Sequence, residues 1–449
     1  MFISTVMDKS DLINFFLDNV KKENEFGIGT EHEKFIFMPD NKKRIPYNGK
    51  ISIKSLFKFL LTKGWLPGEI SEGNLISLNL NGASVTLEPG GQLELSGKIQ
   101  KNIHQTCSEM HSHLDELNIY IKENDLSMIG LGFDPVSKFS DIEWIPKKRY
   151  SIMKNYMPLV GDRGLDMMTR TCTVQANFDY KSEADLIKKF VVANRIQSFV
   201  IAMYSNSPFR EMKHNGYLSN RVLTWSDTDQ NRCGIKEIFI NENFSIEQYV
   251  DFALEIPSYF LNINNDYKDT TKFTFNQILK GQTNNKLIDN HELSLNDWVN
   301  HLSTIFTEVR LKSYIEVRGT DAGKWEMICG LPAFWTGIFY DEENLNLLWQ
   351  ETKKWSYEDI MSLYQNISKY GLKAKFQGGD IYRYCQYLVK LSCEGLKRRA
   401  IYNKNGQDEQ IHLKALKNII NNKKTPADSL LEETDYGNNM LELFEKPYY

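Results

Sequence analysis

The stretch FGIGTEHEKFIF, residues 26–37, alternates as a β-strand does, and the rest of the chain repeats its design. In an extended chain side chains two apart point the same way, so Glu31 and Glu33 project together while His32 and Lys34 project to the opposite side. Paired like charges repel. A strand that keeps them either solvates that face, the ordinary outcome for an isolated Glu-x-Glu, or offers it to a cation; paired oxygen ligands suit Mg²⁺ or Mn²⁺.

Three later stretches carry the same pattern. In SVTLEPGGQLELSG, residues 84–97, Pro89-Gly90-Gly91 turns the chain between two strands. Val85, Leu87, Leu93 and Leu95 form the apolar face of this hairpin, and Thr86, Glu88, Gln92 and Glu94 form the polar one. In RTCTVQANFDY, residues 170–180, Thr171, Thr173, Gln175 and Asn177 share one face. In SYIEVRG, residues 313–319, Tyr314, Glu316 and Arg318 do the same. Gathered on one sheet, Glu31, Glu33, Glu88, Glu94 and Glu316 would be intolerable without counter-charge. Two or three divalent ions would supply it. An oxygen-rich donor set with few His or Cys favours Mg²⁺, which commonly serves nucleotide triphosphates, and Gln175 and Arg318 sit beside the acids. The planar fork of Arg318 suits a phosphate.

Between these strands lie helices at irregular intervals: one at 10–20 opened by Ser10, one near 53–61 closed by Gly64, a long one at 103–124, and one from Ser182 to about residue 205. PKKRYSIMKNYMP (146–158) and NSPFREMKHNGYLSNRVLTWSDTDQNRCG (206–234) are expected as loops, and the chain beyond about 345 as mostly helical, with Thr425-Pro426 opening the last helix. Antiparallel strands interleaved this way imply an α+β fold rather than a regular βαβ alternation. A chain of 449 residues exceeds the usual single-core size and allows one large body or two closely joined domains; a single catalytic domain spanning 1–449 is expected.

A net charge of -4 with scattered Lys and Arg gives no nucleic-acid surface. The apolar runs are too short for a membrane span, and acids appear by residue 8 with no basic segment before an apolar run, which argues against a secretory signal. A cytosolic protein is the expectation. Other nucleotide and metal motifs fail residue by residue. Gly97-Lys98 is followed by Ile99, so there is no Walker A; Ile36 replaces the second His of an H-E-x-x-H; Arg232 and Ile238 spoil a calcium loop beginning at Asp227. Six cysteines without a C-x-x-C disfavour structural zinc, and in a reducing compartment each is by default a buried free thiol.

GIGTEHEKF, LEPGGQLELSG with HQTCSEMHSHL, RYSIMKNYMP, GLDMMTRTCTVQANFDY, LTWSDTDQNR, YIEVRG and LPAFWTGIFYD together resemble the plant-type and proteobacterial glutamate-cysteine ligases, collinearly from about residue 24 to 345. The resemblance implies a glutamine-synthetase-like antiparallel sheet forming a funnel. It implies an enzyme that uses ATP to join the γ-carboxylate of glutamate to the amine of cysteine, acting as a monomer or homodimer. It also implies that Glu31, Glu33, Glu88, Glu94, Gln175 and Glu316 line two or three Mg²⁺ sites, with Mn²⁺ as a substitute. Glu33, Glu316 and Arg318 are then the catalytic set, and Arg221, Trp225 and Arg232 hold glutamate. Cys107 and Cys329 match positions that form a regulatory disulfide in plant members, with inert thiols as the alternative, while a second plant disulfide has no counterpart around Thr270 and Gly281. The missing plastid extension favours a bacterial cytosolic enzyme. A ligase for another amine, a guanidino-type phosphotransferase on a related fold and a catalytically silent binding protein are the competing functions.

Overall fold

The computed structural model describes residues 7–264 and 266–445; residues 1–6 of the stretch read against a secretory signal lie outside the described residues. Its centre is a ten-stranded sheet: β1 (Ile28–Met38), β2 (Lys43–Arg44), β3 (Leu66–Pro67), β4 (Ser77–Leu80), β5 (Ala83–Leu87), β6 (Leu93–Ser96), β7 (Ser127–Ile129), β8 (Thr173–Phe178), β9 (Val309–Leu311) and β10 (Ile315–Asp321). The strands run in the order β9-β10-β8-β1-β6-β5-β4-β3, with β2 and β7 also on β1, and every pairing is antiparallel. β1 is therefore the axis of the sheet. At eleven residues it is long enough to pair with β8, β6, β7 and β2 along its length.

Register decides which side chains meet. Glu31 stands opposite Gln175 on β8 and Ser96 on β6, and Glu33 opposite Glu94. Glu94 in turn faces Thr86, and Glu316 faces Asn177 and Arg310. Directly paired residues share a face, so four separate segments of sequence deliver their polar side chains to one surface. The other surface is closed by the helices Ile103–Glu123, Glu183–Met203 and Trp325–Phe339. The last of these is buried along nearly its whole length, as its uniformly apolar sequence requires. His32 and Lys34 lie beneath this layer, both buried.

The hairpin 84–97 turns at Glu88–Gly91, where Gly91 adopts a φ of +80°. The helices expected near 53, 103 and 182 form at Ile53–Thr62, Ile103–Glu123 and Glu183–Met203, and Thr425 caps Pro426–Glu433. Three expectations are corrected. The first helix is capped by Asp8, whose carboxylate accepts from the Ser10 and Asp11 amides, so Ser10 sits inside its first turn. Residues 146–158 contain the helix Lys148–Tyr156, and the polar segment 206–234 contains Asn220–Trp225. Lys148–Tyr156 has no side-chain N-cap bond to mark its start, so nothing local announces it.

On the helix Leu295–Ser303, His301 is stacked on Phe275 at 4.6 Å and donates Nε2–H to the Ala253 carbonyl at 2.8 Å. Burial pulls its pKa down to about 3. Because the folded pKa lies below the unfolded one, the unfolded chain takes up a proton first as pH falls. Stability is then lost between about pH 6.5 and 3. Urea unfolding at pH 7 and pH 4.5 should show the acid-induced loss reduced by about 2 kcal/mol in His301→Gln; an unchanged difference would remove His301 as a source.

Candidate active site

The polar face of the sheet opens into a cavity of about 300 Å³ whose walls carry opposite charge. Glu31 and Glu33 from β1, Glu94 from β6 and Glu88 from the hairpin turn form one wall, with Gln92 and Gln175 beside them. Arg310 from β9, Lys312, Arg318 from β10, Arg221 from the helix Asn220–Trp225 and Arg149 from Lys148–Tyr156 supply the cations.

The acids are held individually. Asn177 Nδ2 donates to Glu31 at 2.7 Å, the Thr173 amide to Glu33 at 3.0 Å, and Thr86 Oγ1 to Glu94 at 2.7 Å. These bonds do not neutralise them. Burial, with Glu316 and Glu94 nearby, lifts the Glu31 pKa to about 7. Glu33 is raised further above the ordinary range by burial and by Glu88 and Glu94; burial also raises Glu88 and Glu94. A wall of carboxylates that resists its own ionisation is a site short of positive charge. Its donors are all hard oxygens, the set that Mg²⁺ prefers. Glu31, Glu33, Glu88, Glu94 and Gln175 thus fit the group they were assigned.

Glu316 departs from that assignment. It is fully buried and does not line the cavity; it is ion-paired with Arg310, and Arg310 Nη2 donates to its Oε1 at 3.1 Å. Arg318 Nε lies 3.5 Å from its other oxygen. Burial acts to raise this carboxyl, but Arg310, Lys312 and Arg318 outweigh burial and hold its pKa at about 2. Through these ion pairs Glu316 orients the Arg310 and Arg318 guanidinium groups.

Arg221 and Trp225 share the helix Asn220–Trp225, and both face the cavity. Arg221 donates to the backbone carbonyls of Gly319 at 2.6 Å and Arg318 at 2.8 Å, which ties the helix to β10. The Trp225 ring is flanked by Arg221 at 5.4 Å and Arg318 at 5.1 Å, a cation–π arrangement that orients both cations. Arg221 Nε and Trp225 Nε1 are buried donors without a protein partner. Arg318 Nε reaches Gln175 Oε1 at 3.3 Å, joining the two walls.

Arg232 is corrected. Its guanidinium is spent on Asp229 at 2.8 Å, the Thr304 carbonyl at 3.1 Å and the Pro257 carbonyl at 2.7 Å, over the Tyr259 ring at 3.8 Å. It braces the wall from behind, fully buried, and does not line the cavity. The residues that sequence reasoning missed are Arg149 and Tyr150, in a segment expected as a loop, and Arg310 and Lys312. The latter pair had a signal: Arg310 and Lys312 alternate with Val309 and Leu311 just before Tyr314, on the face of Glu316.

Cys107 and Cys329 form a disulfide between the helices Ile103–Glu123 and Trp325–Phe339, with Cα atoms 5.6 Å apart. It lies beneath the opposite surface of the sheet. Cys172, Cys233 and Cys385 are buried free thiols.

Removing Arg310 should strand a buried charge. Arg310→Met is expected to lower the unfolding free energy by about 3–5 kcal/mol, and the double variant Arg310→Met/Glu316→Gln to recover at least half of the loss. Denaturant unfolding of the two singles and the double checks this; additive losses would mean that the two side chains do not act as a pair.

The family model "Glutamate-cysteine ligase family 2" matches residues 27–443. The chain is 40% identical over 445 residues to glutamate–cysteine ligase A, chloroplastic, of Oryza sativa subsp. indica, covering 99% of this chain and 88% of that protein. It is 41% identical over 447 residues to the chloroplastic glutamate–cysteine ligase of Solanum lycopersicum, and 40% over 445 residues to that of Arabidopsis thaliana, in each case across 99% of this chain and 83% of the relative. A solved glutamate–cysteine ligase from Francisella tularensis, in complex with AMP, has the same fold with a TM-score of 0.55 at 14% identity, over 94% of this chain and 88% of that one. The cytosolic expectation is overturned, since these plant relatives are chloroplastic by name; net charge and composition do not separate one aqueous compartment from another. A matched family model over nearly the whole length, with relatives at 40% identity, establishes that this chain belongs to glutamate-cysteine ligase family 2.

Proposed function

We propose that the chain ligates the γ-carboxylate of L-glutamate to the amine of L-cysteine at the expense of ATP, through a γ-glutamyl phosphate, giving γ-glutamylcysteine, ADP and phosphate. This is the first step of glutathione biosynthesis. The observation that carries this function is the division of one cavity into a carboxylate wall and a guanidinium wall bridged by Gln175 and Arg318. Phosphoryl transfer needs both: a place for cations that hold polyphosphate, and fixed donors aimed at the oxygens on which charge accumulates. Mg²⁺, as two or three ions with Mn²⁺ as a substitute, bound among Glu31, Glu33, Glu88, Glu94 and Gln175, would supply charge neutralisation at the phosphates.

The protein's own groups account for the rest. Arg318, held in place by Glu316, Gln175, Trp225 and Phe306, presents a fork to the transferring phosphoryl group. Arg221 Nε and Trp225 Nε1 are free to donate to a substrate carboxylate, and Arg149 adds a second cation from the facing helix. Glutamate's γ-carboxylate attacks the terminal phosphorus of ATP in line and ADP leaves. The amine of cysteine then attacks the acyl carbon, loses a proton, and expels phosphate. No enzyme nucleophile is required. We take the 449 residues as one catalytic body, which a continuous hydrophobic core containing residues from Met7 to Ile420 supports.

Phosphate release from ATP and Mg²⁺ should require glutamate and cysteine together, and Glu33→Gln should abolish it. Glutamate-dependent release with a different amine would keep the mechanism and change the product. Release into a stable phosphorylated guanidino compound would replace ligation with phosphotransfer, and no release at all would leave a binding protein. Arg318→Lys should lower kcat by about 10²–10³ with a much smaller change in KM, because the lost fork acts mainly on charge that develops in the transition state.

A further inference from the structure

Away from the cavity, four side chains from three segments converge around the disulfide. Cys107 and His104 lie one turn apart on the helix Ile103–Glu123; Cys329 comes from Trp325–Phe339; His412 comes from the turn Glu409–Leu413. His412 Nδ1 lies 3.2 Å from Cys107 Sγ, and His412 Nε2 lies 2.9 Å from His104 Nδ1. His104 Nε2 in turn reaches the Ile401 carbonyl at 3.4 Å.

This chain of contacts has one direction. A carbonyl only accepts, so His104 carries its proton on Nε2 and offers a lone pair from Nδ1. His412 then donates Nε2–H to that lone pair, and its own Nδ1 lone pair points at the sulfur. A histidine held through one nitrogen by a hydrogen bond, with the other nitrogen bare and facing a cysteine sulfur, is the arrangement found around metal-bound imidazoles. The ligand atoms of Cys107, Cys329 and His412 all lie within 4.8 Å of one another, and among the described residues they are the only such group of three. In a tetrahedral zinc site with bonds of about 2.3 Å to sulfur and 2.0 Å to nitrogen, neighbouring ligand atoms stand roughly 3.5–3.8 Å apart.

We propose that, once the disulfide is reduced, Cys107, Cys329 and His412 bind a thiophilic d¹⁰ cation of the Zn²⁺ class, with His104 as the positioning residue behind His412 and a solvent molecule in the fourth place. Reduction by a dithiol takes two electrons and two protons to break the S–S bond and leaves two thiols. Metal binding then releases one proton from each thiol as the two metal–sulfur bonds form, and the metal–nitrogen bond forms without loss of a proton. With its one proton on Nε2, donated to His104, and Nδ1 bare, the His412 imidazole is already neutral. Cys107 and Cys329 are buried while His412 and His104 are half-exposed, so the ion approaches from the histidine side. The oxidised bridge and the metal are mutually exclusive. Occupancy would hold the helices Ile103–Glu123 and Trp325–Phe339 together in the reduced protein as the disulfide does in the oxidised one.

The full-length protein, reduced with a phosphine and desalted anaerobically, should be titrated with Zn²⁺ against a chromophoric chelator, beside the oxidised protein. Carboxylates of the cavity bind zinc in both states, so the difference between states is the readout. The expected result is one additional equivalent in the reduced protein, release of two protons per ion, and thiolate-to-metal charge-transfer absorption when Co²⁺ replaces Zn²⁺. Cys329→Ser should remove the additional equivalent, with Cys107→Ser as a second variant should the first not fold. His412→Gln should weaken binding at least tenfold, and His104→Phe about 10–100-fold with the charge-transfer band retained. Equal zinc binding in the two redox states, or a reduced protein whose Co²⁺ spectrum lacks thiolate absorption, would overturn the proposal. Neither outcome bears on ligase activity, which is assayed separately.

Discussion

Glu33 and Glu94 stand directly opposite each other on adjacent strands, and the structure around them follows from that repulsion. Like charges at a cross-strand pair destabilise a sheet, and burying them adds desolvation. The sheet bears this cost because β1 is paired along its length and backed by a helical layer that leaves its register no freedom. A one-residue slip would send Glu31 and Glu33 under the helices and bring His32 and Lys34 into the cavity. The apolar face of the sheet therefore enforces the electrostatic arrangement on the polar face.

Once the acids are fixed, the cations must be kept apart from them without collapsing onto them. Salt-bridging Arg318 to Glu33 would neutralise both and leave nothing for a ligand. Instead Glu316 and Arg310 form a closed pair, Trp225 lies between Arg221 and Arg318, and Arg221 is anchored to backbone carbonyls. The guanidinium groups are thereby oriented in advance, which is the condition for electrostatic catalysis without reorganisation. Arg232, stacked on Tyr259 and bonded to Asp229, does the same service one layer out, supporting the wall that carries the site.

The helix Trp325–Phe339 connects the two chemistries of the molecule. It packs beneath β1 and β8 on the face opposite the cavity, and through Cys329 it is tied to the helix Ile103–Glu123. Those two helices form much of the layer that holds β1 in register. Cys107 and Cys329 therefore lie within that layer, on the side of the sheet away from the cavity.

Alternation along each strand was sufficient to sort Glu31, Glu33, Glu88, Glu94 and Gln175 onto one face, because in an extended chain the direction of a side chain is a local property. Caps at Ser182 and Thr425, and the turn at Pro89-Gly90-Gly91, are local for the same reason. Strand order is not local. That Glu33 meets Glu94, that Glu316 spends its charge on Arg310, that Arg232 turns away into Asp229 and that Arg149 enters the cavity from an unmarked helix all depend on which segments the packed helices bring side by side. The sequence by itself determined the α+β class and the face on which the acids lie. Tertiary structure decided which charges are left free for a ligand, because pairing between residues far apart in the chain depends on burial and register that no single segment contains.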